Sequence, residues 1–433
     1  MSERDHDVIG VGLGPFNLGL AALLAPLTDD LDAVFFESKP QFSWHAGLLL
    51  DGVTLQVPFL ADLVTLADPT SPYSFLNYLH CRQRLYRFYF YERFHVPRRE
   101  YDAYCRWVAE QLPSCRFGQE VVGVRPTDDE RWSVLVIERD GVVEHRADAV
   151  VLGVGSSPSV PACVAEHLGE TVFHSAAYLS HREAARAARS VTVVGSGQSA
   201  AEVFADLLAH GSGGRLDWFT RSRGFLPMEY SKLGLEHFTP EYTTYFHRLA
   251  EDQRDTLRSG QDLLYKGISG DTSAQIFDTL YEASIDGEDP DVGYRSACEL
   301  QGLAPDPTGS RPWRLDLHHL DEDVTFTHGT DVVVLATGYE PTALPLDPPI
   351  DHELVVRDNR GRPVIELDYR VRLVDRPKST LFVQNADLHS HGVGAPDLGL
   401  GAHRNAVLVN ALAGREVYPV RDHNVFQSFG APR

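Results

Sequence analysis

Val8-Ile9-Gly10-Val11-Gly12-Leu13-Gly14-Pro15-Phe16-Asn17-Leu18, near the start of the 433-residue chain, reads as a short apolar strand, a glycine turn and the first turn of a helix. The helix continues to Leu24, and a second apolar strand, Val34-Phe35-Phe36, ends in Glu37. Such a β-turn-α-β unit suits a dinucleotide. Glycines at 12 and 14 let the backbone approach a pyrophosphate, whose charge lies at the N-terminus of the following helix. Glu37 is then placed to accept a hydrogen bond from a ribose 2′-hydroxyl. The third turn position is Asn17 rather than glycine, which makes the fingerprint weak on its own.

The same pattern occurs a second time. Val191-Thr192-Val193-Val194 leads into Gly195-Ser196-Gly197-Gln198-Ser199-Ala200, a helix over Ala201 to His210, and the strand Leu216-Asp217-Trp218-Phe219. Glu37 lies 25 positions past Gly12; the same offset from Gly195 falls on Thr220, with Arg221 and Arg223 just beyond. An acid at this place repels a 2′-phosphate, whereas arginines pair with one through a fork of N–H donors. The first unit therefore suits FAD, and the second suits NADPH over NADH. Two further segments echo each other: Asp148-Ala-Val-Val-Leu-Gly-Val-Gly155 before the second unit, and Asp331-Val-Val-Val-Leu-Ala-Thr-Gly338 after it. Each reads as a buried strand ending in glycine, where the chain passes close to a cofactor or another segment.

The expected fold is α/β, with two Rossmann-like dinucleotide-binding domains. An FAD domain is split in sequence (1–169 and 326–433), with an NADPH domain (170–325) inserted. Within the insert, a helical region at about 236–300 is expected to help cover the active site.

Composition limits the alternatives. Hydrophobic residues at 43% and charged residues at 23% are the balance of a soluble globular protein. No run approaches the ~18–20 apolar residues that span a bilayer, and the polar start, Met1 to Asp7, does not read as a secretory signal. The formal net charge of −22 disfavours nucleic acid and anionic membranes and mildly favours cationic partners. Cys81, Cys105, Cys115, Cys163 and Cys298 are scattered, with no CxxC pair. That argues for free thiols in a reducing cytoplasm, and against a zinc site or a redox disulfide. A homo-oligomer is compatible with the sequence and not required by it.

With these segments in hand, the chain resembles the flavin-dependent N-hydroxylating monooxygenases of hydroxamate siderophore biosynthesis, which act on ornithine, lysine or diamines. The resemblance runs from about residue 7 to residue 425. It rests on Gly12-Leu-Gly-Pro-Phe-Asn-Leu18, Phe42-Ser-Trp-His45, Leu55-Gln56, Phe59-Leu-Ala-Asp-Leu63 and Asp68-Pro-Thr-Ser-Pro-Tyr-Ser-Phe75. It continues through Gly195-Ser-Gly-Gln-Ser-Ala-Ala-Glu202, Ala336-Thr-Gly-Tyr339 and His391-Gly392…Pro396-Asp-Leu398.

The resemblance implies that NADPH reduces FAD, that O₂ adds to the flavin, and that a neutral primary amine attacks the resulting hydroperoxyflavin. Such chemistry needs no acid–base triad, because the cofactor carries the reactive oxygen. By motif, Gly12, Gly14, Asn17, Glu37 and Lys39 belong to the FAD site, with Trp44, His45 and Gln56 along the flavin. Gln56, able to hydrogen-bond near the reactive edge, is the one side chain given a catalytic place. Asp397 and Leu398 approach the pyrimidine end through the backbone. Gly195, Gly197, Gln198, Ser199, Arg221 and Arg223 bind NADPH. A Cβ at either Gly12 or Gly14 is expected to intrude on the FAD pyrophosphate. His391 and His403 receive no chemistry, and no metal is expected.

Disulfide-using reductases of the two-domain type need a CxxC, which is absent. Flavin monooxygenases of ketones or sulfur carry a longer motif, echoed only by Phe173-His174-Ser175…Tyr178. A non-catalytic flavin redox sensor is disfavoured by two intact-looking nucleotide sites.

Departures from the family direct the substrate reading. The amino-acid hydroxylases carry Phe-Leu-Lys-Asp-Leu, whose lysine pairs with the substrate α-carboxylate; here the position is Ala61. The Asn-Tyr-Ser stretch of the ornithine enzymes is replaced by Leu264-Tyr265-Lys266. An aliphatic diamine, putrescine or cadaverine, is therefore expected beside O₂, with L-lysine as the alternative if Lys266 or another cation takes over.

Overall fold

The apolar run at Val8–Val11 is the buried end of the strand Arg4–Val11, the hub of a seven-stranded sheet. It pairs in parallel with Ala33–Glu37 on one side and Gly141–Leu152 on the other, and Thr380–Val383 adds in parallel to the latter. Cys115–Phe117 extends one edge, and the antiparallel strands Trp132–Glu138 and Glu120–Pro126 extend the other. This is a computed structural model; it describes residues 4–432 except 212, 286, 288, 343–353 and 376–378. The start of the polar N-terminus, residues 1–3, thus lies outside the described residues.

Pro15 begins the first helix, Pro15–Leu24, at a position where its missing N–H is not needed and its fixed φ is already helical. That helix is apolar on nearly every side because it is covered on every side. It lies between the sheet and the C-terminal helix Gly401–Ala413, with Arg98–Ala109 also against it.

The second sheet is fully parallel, in the order Val292–Arg295, Arg215–Phe219, Ser190–Val194, Val332–Leu335, Val172–His174. Ser190–Val194 is buried along its whole length, as expected of a parallel strand with both faces covered. The glycine-turn helix after it, Gln198–His210, starts three residues before the expected Ala201. The boundary at 326 had placed Val332–Leu335 with the first unit. The strand instead pairs with Ser190–Val194 and Val172–His174, because its four apolar residues complete the buried middle of the second sheet.

The stretch after Glu236 is helical as read: Pro240–His247, Glu251–Ser259, Asp262–Tyr265 and Gly270–Ala283. It gives way before 300 to the edge strand Val292–Arg295 and the start of an antiparallel three-stranded sheet, Cys298–Pro305, Trp313–His319 and Val324–Thr330. Where the chain crosses between the sheets, Ser156–Pro158 and Tyr339–Pro341 pair antiparallel.

One buried ion pair joins the two halves. Arg98, at the start of its helix, donates from Nη1 to Glu202 Oε2 at 2.8 Å and from Nη2 to Glu202 Oε1 at 2.7 Å. Nη1 also reaches Leu48 O at 2.9 Å. Both side chains are buried, so removing one partner strands the other charge out of water. Glu202→Ala should therefore cost roughly 3–5 kcal/mol of unfolding free energy. Glu202→Gln, which keeps the shape and an acceptor, should cost less. Urea unfolding of the two variants checks this; a loss below about 1 kcal/mol for Glu202→Ala would make the pair peripheral.

Candidate active site

The carboxyl ends of Arg4–Val11, Ala33–Glu37 and Gly141–Leu152 open onto one cleft of about 870 Å³. This is where ligands of open α/β sheets bind. Gly12, Gly14, Asn17, Glu37, Lys39, Trp44, His45 and Leu398 all line it.

The two turn glycines have different reasons to be glycine. Gly12 has φ of +82°, and a Cβ there would stand 2.6 Å from Gly153 O. At Gly14 a Cβ would meet no protein atom within 4 Å. Gly14 caps the helix Pro15–Leu24 without any side-chain hydrogen bond, so the first amides of that helix are left for a ligand. At Gly12 a Cβ would thus meet the adjoining strand before any pyrophosphate is considered. The open cradle at Gly14, the uncapped helix end and the cleft volume fit the diphosphate of FAD.

Glu37 Oε2 accepts from Leu13 N at 2.9 Å and Oε1 from Lys39 N at 3.0 Å, so the carboxylate clasps the turn and still faces the cleft. Asn17, fully buried, takes over from the missing third glycine by stitching. Its Nδ2 donates to Gly12 O at 2.7 Å, and its Oδ1 accepts from Gln384 Nε2 at 2.7 Å. Lys39 Nζ donates to Ser43 O at 3.2 Å, and Asp102 Oδ1 accepts from Trp44 N at 3.0 Å. These bonds fix the 39–45 loop along the cleft.

His45 sits in the left-handed region at φ of 48°, where a non-glycine residue is uncommon. Its ring lies edge-on to Trp44 at 4.5 Å and to Tyr339 at 5.5 Å. Desolvation first, then the nearby Arg98 and Lys39 cations, push its pKa down to about 4, so it faces the cleft as a neutral imidazole at neutral pH. Gln56 does not line the cleft; it is half-buried, and its Nε2 donates to Thr54 O at 3.3 Å.

The second turn repeats the logic of the first. Gly195, at φ of +142°, would bring a Cβ within 2.1 Å of Ala336 O, whereas Gly197 faces open space. Gly153 and Ala336 occupy the same position in the two echoing strands. Ser199 is half-buried in the first turn of the helix. The Gln198 side chain is spent on protein: Nε2 donates to Glu202 Oε1 at 3.1 Å and to Thr272 Oγ1 at 2.9 Å, and Oε1 accepts from Ser269 N at 2.7 Å. Beyond the strand end, Arg221 and Arg223 are exposed, and Arg223 pairs with Asp321 at 3.2 Å.

The residues expected to face the substrate, Ala61, Leu264 and Tyr265, lie around one segment. Between Gly392 and Leu400, Val393 packs in a cluster with Tyr242 and Phe246, against which Leu264 and Tyr265 lie. In the same segment Gly399 is the neighbour of buried Ala61, and Pro396 and Leu398 line the cleft. Asp397 accepts from Gly399 N at 2.7 Å; burial raises its carboxyl to about 6, against the opposing pull of that bond and of Arg404.

Several organising residues went unassigned in the sequence reading although the motifs that contain them had been noted. Asp62 accepts from Val64 N at 3.0 Å, Thr65 N at 2.7 Å, Thr65 Oγ1 at 2.6 Å and Phe75 N at 2.7 Å. It thereby fuses the 59–63 and 68–75 motifs into one unit. Burial still outweighs these bonds and raises its carboxyl above the ordinary range. His174 Nε2 meets Gly338 O at 3.0 Å and its ring lies edge-on to Tyr339, so the Phe173-His174 echo buttresses the cleft.

Two strand–glycine-turn–helix units on parallel strands, each with its second glycine facing open space, fit a two-cofactor flavoenzyme. Residues 4–341 match the model of the L-lysine 6-monooxygenase/L-ornithine 5-monooxygenase family, and the chain belongs to that family of flavin-dependent N-monooxygenases. It is 47% identical over 437 residues to a rhizobactin siderophore biosynthesis protein of Rhizobium meliloti, covering 99% of this chain and 96% of the relative. It is 38% identical to a putrescine N-hydroxylase of Acinetobacter baumannii, covering 99% and 94%. The FAD-bound structure of DfoA, the desferrioxamine-pathway cadaverine monooxygenase of Erwinia amylovora, superimposes with a TM-score of 0.92 at 40% identity and covers 99% of both chains. FAD and NADPH are the cofactors. Among the described residues, no helix is long and apolar enough to cross a membrane.

The contrast between the turn glycines gives a direct test. Gly14→Ala should melt like the FAD-stripped wild type and purify with little FAD. Gly12→Ala should lose roughly 1–2 kcal/mol or more from its left-handed backbone, before any ligand is considered. Flavin absorbance per chain and thermal melts separate the two; full FAD occupancy in Gly14→Ala would overturn the cradle.

Proposed function

We propose that the enzyme hydroxylates one primary amine of an aliphatic diamine, putrescine or cadaverine, in hydroxamate siderophore biosynthesis. The observation that carries this is Ala61. It is buried beside Gly399, at the position where the amino-acid hydroxylases carry a lysine for the substrate carboxylate. The other cation considered for that role, Lys266, is exposed and engaged: its Nζ binds Asp262 Oδ1 at 2.8 Å and lies over the Tyr265 ring. An amino-acid carboxylate entering a half-buried pocket without a partner loses several kcal/mol. A diamine has no carboxylate to satisfy. The names of two relatives, a putrescine N-hydroxylase and a cadaverine monooxygenase, agree with this reading.

The chain's own part is binding and orientation. Gly12, Gly14 and the clasp at Glu37 would hold the FAD diphosphate and ribose, and Trp44, His45 and Leu398 would flank the ring system. A neutral His45 keeps an extra positive charge away from an amine that must itself react uncharged. Gln56 would reach the flavin only by exchanging its bond to Thr54 O. Gly197, Ser199 and the amides of the second turn would take the NADPH diphosphate, with Gln198 positioning that turn. FAD, when bound, supplies the redox chemistry with O₂.

Two measurements follow. Coupled NADPH consumption and hydroxylamine formation, across putrescine, cadaverine, 1,3-diaminopropane, lysine and ornithine, should give kcat/KM for putrescine or cadaverine at least tenfold to a hundredfold above both amino acids, since ~1.4 kcal/mol is tenfold. Lysine or ornithine above both diamines would overturn the substrate reading. In the second, wild-type enzyme should prefer NADPH to NADH by about tenfold to a hundredfold. Arg221→Ala/Arg223→Ala should raise KM for NADPH and leave that for NADH nearly unchanged; equal use of the two nucleotides by the wild type would remove the arginines' role.

A further inference from the structure

We infer that Phe429, with Glu236 and Glu241, positions the amine site: the C-terminal segment 424–429 braces the helix Pro240–His247, whose other face packs toward the residues expected to meet the substrate. The segment leaves the body of the first unit at Tyr418. There Asn410 Oδ1 accepts from Val417 N at 2.7 Å and from Tyr418 N at 3.0 Å, and Tyr418 Oη donates to Leu23 O at 2.8 Å. Residues 419–424 are exposed, and the chain then lands on the covering helices.

Two carboxylates and three rings receive it. Glu241 Oε1 accepts from both Asn424 N and Asn424 Nδ2, the latter at 3.0 Å. Glu236 Oε1 accepts from Phe426 N at 3.2 Å, and its Oε2 from Gln427 N at 2.8 Å. The Phe429 ring then fills a socket, edge-on to His237 at 5.6 Å and to Tyr242 at 5.1 Å, and stacked on Tyr245 at 6.1 Å. Holding an irregular, exposed segment in one conformation costs backbone entropy at every residue, and chain ends without such ties fray. Charge-assisted bonds to backbone amides and an aromatic anchor offset that cost.

The braced helix reaches the site from its other side. Tyr242 and Phe246 pack with Val393, and a Cβ at Gly392 would stand 3.0 Å from the Phe246 ring. The segment they touch continues to Pro396 and Leu398 of the cleft, and to Gly399 beside Ala61. Tyr242 Oη also lies 2.9 Å from Gln261 Oε1, immediately before the helix Asp262–Tyr265 that carries Leu264 and Tyr265. Phe429, Leu264 and Tyr265 thus belong to one cluster centred on Tyr242. The C-terminal end of the braced helix has its own tie to the first unit, since His247 Nε2 meets Ile365 O at 3.0 Å. Its N-terminal end is tied to that unit through the tail, so releasing Phe429 weakens the hold on Tyr242 and, through it, on Leu264 and Tyr265.

Phe429→Ala in the FAD-loaded enzyme tests this. KM for the preferred amine should rise about tenfold while kcat changes by less than about threefold, as when a contact made equally in ground and transition states is removed. FAD content and KM for NADPH should stay at wild-type values. Glu236→Gln, which leaves the rings in place, should shift the amine KM in the same direction by a smaller factor. Phe429→Tyr, which keeps a ring in the socket, should restore the wild-type KM. Amide hydrogen exchange over 240–265 should quicken in Phe429→Ala, while the strand Ser190–Val194 keeps its protection. The inference rests on the amine site proposed at Ala61, Leu264 and Tyr265, and exchange separates the two. Wild-type exchange rates in Phe429→Ala would overturn the brace itself. Faster exchange with an unchanged KM for every amine tested would overturn its positioning role. A wild type that prefers lysine, yet shows the same KM rise in Phe429→Ala, would support the brace and defeat the diamine reading alone.

Discussion

The bidentate pair between Arg98 and Glu202 ties together what the two sheets build separately. Its guanidinium belongs to the unit with the first glycine turn, and its carboxylate to the helix that starts at the second. Glu202 also holds Gln198, and Gln198 in turn holds Ser269 and Thr272 at the start of the helix Gly270–Ala283. A single buried charge pair thereby sets the second turn, the covering helices and the Leu48 backbone relative to the first unit. The same Arg98 cation helps keep His45 neutral in the cleft, so one interaction shapes both the assembly and the electrostatics of the site.

Around that pair the chain uses one steric device twice. In each unit the first turn glycine presses against a carbonyl of the adjoining crossing strand, Gly153 O or Ala336 O, and the second glycine faces open space. The first fixes how strand and turn nest together; the second leaves room for a phosphate. Asn17 shows that the third position has a different duty. Its amide closes the turn onto Gly12 O and onto Gln384.

Much of this was legible in the sequence because it is local. Strand, turn and helix lie within a few residues of one another, and the opposite chemistry at Glu37 and Thr220 sits at one offset in both units. The echoing segments Asp148–Gly155 and Asp331–Gly338 run directly into the paired segments Ser156–Pro158 and Tyr339–Pro341. The echo did not tell to which sheet Val332–Leu335 belongs, since four apolar residues fit the middle of either. Long-range partnerships left no comparable trace. Arg98 and Glu202 are ordinary charged residues until they are folded together, and Asp62 reads as one letter of a motif until its four donors are seen to come from two segments. The assignments of Gln56 and Gln198 came from motif position alone, and position does not show that a carboxamide is already occupied by Thr54 or by Glu202 and Thr272. The convergence of Ala61, Leu264 and Tyr265 on the Gly392–Leu400 segment likewise depends on contacts across more than 100 positions of chain.

The paired crossings, Ser156–Pro158 against Tyr339–Pro341, bear on how the two nucleotide units can move. Two separate connections would leave one unit free to slide, tilt or swivel against the other. Laced together by antiparallel hydrogen bonds, with Ser157 Oγ also 2.9 Å from Thr342 Oγ1, they act as a single strap that bends far more readily than it shears. With the Arg98–Glu202 pair as a second point of attachment, the units are joined at two places. Ser156 to Pro158, Tyr339 and Thr342 also line the cleft, so the strap that joins the two units is at the same time one of its walls.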